Sequence, residues 1–126
     1  MMLDAQLKRV VYRNPAMLVP WFLMCGYAYE IRDKPLISDG AWDWLCEQLR
    51  KNWSTIKHRH KLIIDRRSLN TATAGYLTVD DYPSIAVGAA DDLIKEMERG
   101  TNEYKEHERQ LKREHRRLRQ RRRRVS

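Results

Sequence analysis

The chain has 126 residues, with 25 Lys and Arg against 17 Asp and Glu and a formal net charge of +8. That length suits one domain with appendages rather than a multidomain enzyme. Two cysteines, Cys25 and Cys46, lie in apolar context with no Cys-x-x-Cys pair; this argues against a disulfide scaffold or a zinc module and favours buried, reduced thiols in a cytosolic protein.

The N-terminal Met-Met-Leu-Asp-Ala-Gln-Leu-Lys-Arg lacks the charged-then-apolar layout of a signal peptide. Leu3, Leu7, Val10 and Val11 fall at helical spacing, which predicts a short helix over 3–13, broken by Asn14-Pro15. The next helix takes Pro20 in its first turn, where a missing amide costs nothing. It carries Trp21, Phe22, Met24, Cys25, Ala28 and Tyr29, an unusually wide apolar surface that belongs at the centre of the core. The apolar run Pro15–Ala28 is about fourteen residues and a bilayer span needs about 20, so no membrane partner is expected.

Pro35 biases Lys34 away from helical geometry and ends that helix. Ser38 or Asp39 is a natural N-cap for the next one. Asp39 and Asp43 share a face near its positive end. Trp42, Leu45, Cys46, Leu49 and Trp53 then form an amphipathic stripe. Two carboxylates, a phenol (Tyr29) and an indole thus meet at one corner. They are either a capped, well-packed helix start or a site for a polar aromatic ligand.

The pattern Tyr27-x-Tyr29, Asp33-x-Pro35, Ile37-Ser38-Asp39-x-x-Trp42-Asp43-x-Leu45 resembles the N-terminal two-helix subdomain of bacterial NAD-dependent DNA ligases. In that family the segment grips the nicotinamide mononucleotide half of NAD during self-adenylation. The resemblance implies nucleotide-binding roles for Tyr29, Asp39 and Asp43, and for Trp42 where the family has a stacking Tyr. Glu30 stands where the family has a His, and a carboxylate there repels the nucleotide's phosphate. A weaker likeness continues through Lys57-His58 and Leu62-Ile63, so the resemblance covers roughly residues 20–65. The ligases' nucleophilic Lys sits in a Lys-x-Asp-Gly motif that this chain lacks, and Lys61 is followed by Leu-Ile-Ile. The chain is therefore not expected to be a ligase by itself.

Residues 54–67 are mixed and basic. His58 and His60 alternate as two ligands on an extended segment would, but without a third they read as part of an exposed basic loop. Residues 68–79, poor in charge and rich in Thr, suit an extended loop or a short strand or hairpin. Asp80 to Ser84 turn into a further helix with Ile85, Ala89, Leu93, Ile94 and Met97 as its apolar stripe. Gly100-Thr101-Asn102 reads as a stop, with Thr101 or Asn102 capping a new, charged helix.

From Lys105 to Ser126 there are eleven Lys and Arg against three Glu, so this stretch holds the whole +8 and residues 1–104 are balanced. Lys112, Arg113, Arg116, Arg117, Arg119, Arg121, Arg122, Arg123 and Arg124 are the candidate nucleic-acid-binding residues, since guanidinium groups fork onto phosphate oxygens. No aromatic residue interleaves with the arginines to stack on bases. Tyr104, Leu111 and Leu118, one per heptad, are too thin a seam for a coiled coil.

The expected fold is mainly α: a small domain of three to four helices over 1–99 with a short extended or loop segment, then a basic helical tail over 100–126. The expected function is a non-catalytic, DNA-associated accessory protein of bacteriophage type, binding DNA without sequence preference. No catalytic residue, metal or cofactor is assigned. The alternatives are a virion component whose arm touches packaged DNA or other phage proteins, with oligomerisation possible, and a nicotinamide-mononucleotide-binding part of a split ligase. Host cytoplasm or virion is the expected location.

Overall fold

The computed structural model describes residues 2–103 and 105–117 in full and the backbone alone at 104 and 118–125. Four α-helices form: α1 (Asp4–Arg13), α2 (Leu18–Glu30), α3 (Asp39–Asn52) and α4 (Ser84–Val125). Single 3-10 turns at Pro15–Met17, Lys61–Ile63, Arg66–Asn70 and Val79–Asp81 join them, and no strand occurs among the described residues. The chain divides into two compact units, Met2–Ile94 and a second that begins at Lys95.

Within the first unit α2 is the hub. Leu18, Val19 and every residue from Trp21 to Ala28 are buried, so the helix is apolar all round and the other elements wrap it. Pro20 occupies its first turn as expected. Asn14 stops α1 in an extended conformation, and its side chain accepts from the Ala16 amide to start the turn that leads into α2. At the far end Asp33 takes a left-handed conformation (φ 51°), a geometry Asp tolerates better than most residues, and the chain reverses into Pro35.

Ser38 is the N-cap of α3: extended, with Oγ accepting from the Ala41 amide at 3.2 Å. The same hydroxyl donates to Asp4 Oδ2 at 2.5 Å, and the Ser38 amide donates to Asp4 Oδ1 at 2.9 Å. Leu3 N donates to Leu36 O nearby (2.8 Å), so the start of α1 is tied to the start of α3. Leu45, Cys46 and Leu49 are buried as the stripe predicts, whereas Trp42 and Trp53 are half-buried.

Residues 53–83 form no strand or hairpin. Their backbone is held by side chains instead. Lys61 Nζ donates to the carbonyls of Trp53 and Ile56 while lying 4.7 Å over the Trp53 ring. The Tyr76 hydroxyl accepts from the Asp65 amide and is 3.0 Å from Ser68 Oγ. Thr78 and Asp81 cap each other across one turn. Ile56, Ile64, Leu69, Ala74, Leu77 and Tyr82 anchor the loop in the core.

Two expectations for α4 need correction. Ile94 of the expected stripe is buried and Ala89, Leu93 and Met97 are half-buried, but Ala86 and Ala90 complete the buried face and Ile85 is 65% exposed. Apolar residues occur on two adjacent faces, and the Tyr27 hydroxyl, donating to Asp91 Oδ1 at 3.0 Å beside an Arg32–Asp91 ion pair, fixes which one turns inward. The helix also runs straight through the expected stop. Gly100 keeps an ordinary negative φ, and Thr101 Oγ1 donates back to the Met97 carbonyl at 3.0 Å rather than capping a new helix. An interior glycine costs only about 1 kcal/mol, which flanking helix formers offset. The first compact unit ends at Ile94, within this helix.

The Asp4–Ser38 pair yields a pH-dependent expectation. The Ser38 side-chain hydrogen bond, opposed by partial burial, holds the Asp4 carboxyl below its ordinary value. A depressed folded-state value stabilises the fold above the unfolded-state value, and that contribution fades as pH falls through the folded one. Ser38→Ala should therefore lower stability at neutral pH by about 1–2 kcal/mol, with the gap narrowing in urea unfolding as pH falls below the ordinary carboxylate range. A gap that stays constant across that range would remove Asp4 from the account.

Candidate functional site: an acidic pocket and a basic helix

The corner between α2 and α3 is open. A cavity of about 370 Å³ is bounded by Cys25, Gly26, Tyr29 and Glu30 of α2, by Pro35–Ile37, by Asp39, Trp42 and Asp43 of α3, and by Thr71–Ala74. The four residues to which the resemblance gives nucleotide-binding roles, Tyr29, Asp39, Trp42 and Asp43, all line this one pocket. Tyr29 is 56% exposed at its rim, and Asp39 and Asp43 stand one helical turn apart.

Trp42 holds the pocket in shape. Its ring stacks on Phe22 of α2 (centroids 4.9 Å apart, planes 30°), and Nε1 donates to the Ala72 carbonyl at 2.6 Å. Ala72 takes a left-handed conformation (φ 49°), which costs a non-glycine residue about 1 kcal/mol and persists because neighbours hold it. The Trp42 bond is such a restraint, at the lip where Thr71–Ala74 closes the pocket. On the floor, Gly26 leaves room for its neighbours: a Cβ there would stand 3.1 Å from both Ala74 Cβ and the Tyr82 hydroxyl.

The electrostatics are one-sided. Glu30 joins Asp39 and Asp43 on the lining, and no Lys or Arg lines the cavity. Among the described residues none of these three carboxylates has a hydrogen-bond or ion-pair partner. Such a cavity suits a cation with a flat face, which carboxylates attract and aromatic rings stack on. It disfavours a phosphate. Burial pushes the Cys25 thiol up, and pushes the Cys46 thiol up to about 12 with Asp43 adding to the effect, which opposes thiolate formation at either.

The resemblance named residues of the α2 and α3 walls and placed Glu30 beside them, yet sequence reasoning missed the Thr71–Ala74 wall. The run of small residues in Thr71–Gly75 was the available signal for a close-packed lip. His58 and His60 sit half-buried with rings 5.4 Å apart, and the His60 amide donates to His58 Nδ1 at 3.1 Å. Burial, then His60 and Arg59, holds the His58 imidazolium below its ordinary value. No group of three or more His, Cys, Asp or Glu able to hold a metal gathers among the described residues.

The second candidate lies on α4. Lys112, Arg113, Arg116 and Arg117 are exposed on this continuous helix. The side chains of Arg119, Arg121, Arg122, Arg123 and Arg124 lie outside the described residues. Arg109 pairs with Glu106 at 3.8 Å, a contact worth little in water. Among the described residues, no helix is long and apolar enough to cross a membrane. Comparison of the chain with protein-family models, with curated proteins and with solved structures found no match.

Proposed function

We propose that this protein is a non-catalytic, DNA-associated accessory protein whose basic helix neutralises backbone phosphates. The observation that carries this reading is the placement of charge. The whole formal excess of +8 falls in residues 105–126, and the basic side chains described there are exposed on one helix. Each phosphate neutralised by Lys or Arg releases a condensed counterion, which favours binding whatever the base sequence. A replication or repair accessory and a virion component touching packaged DNA share this chemistry. Deleting residues 105–126 is expected to abolish retention on duplex DNA at about 50 mM salt, where the full chain is retained. Equal retention of the two proteins would remove the helix from the account.

A second reading concerns the pocket and rests on the convergence of Tyr29, Asp39, Trp42 and Asp43 on one cavity. Under it the pocket holds the nicotinamide end of a nucleotide: the cationic pyridinium ring faces the carboxylates and stacks against the aromatic wall. Glu30 and the absence of a lining cation then leave the phosphate outside the cavity. Calorimetric titration is expected to show weak binding of nicotinamide mononucleotide, weakened about fivefold further by Asp39→Asn, since removing one close charge from a partly open site is worth about 1 kcal/mol. Absence of heat at millimolar ligand would contradict this second reading and leave the first intact.

A further inference from the structure

The DNA-associated reading leaves the form of the nucleic acid open, and the register of α4 bears on that question. Lys105, Arg109, Lys112 and Arg116 are spaced four, three and four apart. On a helix of 3.6 residues per turn this keeps them in one line about 16 Å long. Arg113 and Arg117 fall beside that line, so the six cations span an arc of about 140° at roughly 100° per residue. Glu108 and Glu114 fall outside the arc; Glu106 falls inside it and is the residue paired with Arg109. Leu111 lies on the opposite side of the helix, 47% exposed. In the sequence the same four-three spacing continues to Arg119 and Arg123.

From this we infer, resting on the DNA-associated reading, that the partner is double-stranded B-form DNA, with α4 lying along its major groove and the cationic arc reaching the phosphates of both strands. A helix is about 10–12 Å across with its side chains, and the B-form major groove is about 12 Å wide, so a helix enters it. An arc wider than a third of the circumference reaches both flanking phosphate rows, where a narrow stripe would reach one. A single strand is held differently, by aromatic platforms that stack its bases, and this arc carries no aromatic residue. The major groove of double-stranded RNA is deep and too narrow for side chains to read.

The test measures fluorescence anisotropy of the full chain with a 20-base-pair DNA duplex, an oligothymidine of the same length and an RNA duplex. A rearranged chain carries Leu111→Lys, Lys112→Leu, His115→Arg and Arg116→His, which keeps composition and net charge while moving two cations about 100° off the line. Circular dichroism checks that it stays helical. The native chain should bind the DNA duplex at least about tenfold more tightly than either other probe, and the rearranged chain should lose at least about fivefold on the DNA duplex alone. Equal affinity for duplex and single strand, or a rearranged chain unchanged on the duplex, overturns this inference and leaves the DNA-associated reading standing. No binding to any probe overturns both.

Discussion

Trp42 is the residue on which the first unit's architecture and its pocket both turn. Its ring lies on Phe22, so it sets how α3 seats against the buried α2, and its indole nitrogen reaches the carbonyl of Ala72. That second contact holds a left-handed residue in a segment with no strand to support it. Removing the donor leaves a carbonyl unpaired and a strained residue unrestrained, at a combined cost of a few kcal/mol. The cavity takes its shape where a rigid helix corner and a strandless loop are fastened at this point.

The two candidate sites have opposite charge. Three unpartnered carboxylates line the cavity, whereas the C-terminal part of α4 holds the cationic excess. A net charge summed over the chain hides this division, because residues 1–104 balance to zero while still gathering acids at one corner. What the pocket attracts, the helix repels. A ligand of one therefore does not compete for the other by charge, and the phosphate-binding account rests on α4 without help from the globular unit.

Signals that act within one turn of chain were legible in the sequence. Asn14-Pro15 ended α1, Pro20 sat harmlessly in the first turn of α2, and Ser38 capped α3, each through a side chain and backbone groups two or three residues away. The partners of those caps were not legible: nothing near Ser38 announces that Asp4 holds its hydroxyl. Rotation of α4 depended on Tyr27 and Asp91, 64 residues apart, so two equally apolar faces were indistinguishable beforehand. Gly100 misled because a single glycine is a weak breaker inside a long run of good helix formers. The resemblance named residues of α2 and α3 that line the pocket, while the Thr71–Ala74 wall had only its run of small residues as a local signal and depends on the tertiary contact between Trp42 and Ala72.

The claim that the basic helix works by neutralising phosphates is tested most directly by titrating salt. The quantity to measure is the dependence of the observed binding constant of the full chain for a DNA duplex on salt concentration. The six cations of the arc, up to all eleven basic residues of 105–126, set a logarithmic slope between about −5 and −10 at roughly 0.9 per phosphate neutralised. A slope shallower than about −2 would mean that few phosphates are engaged, and would contradict the account.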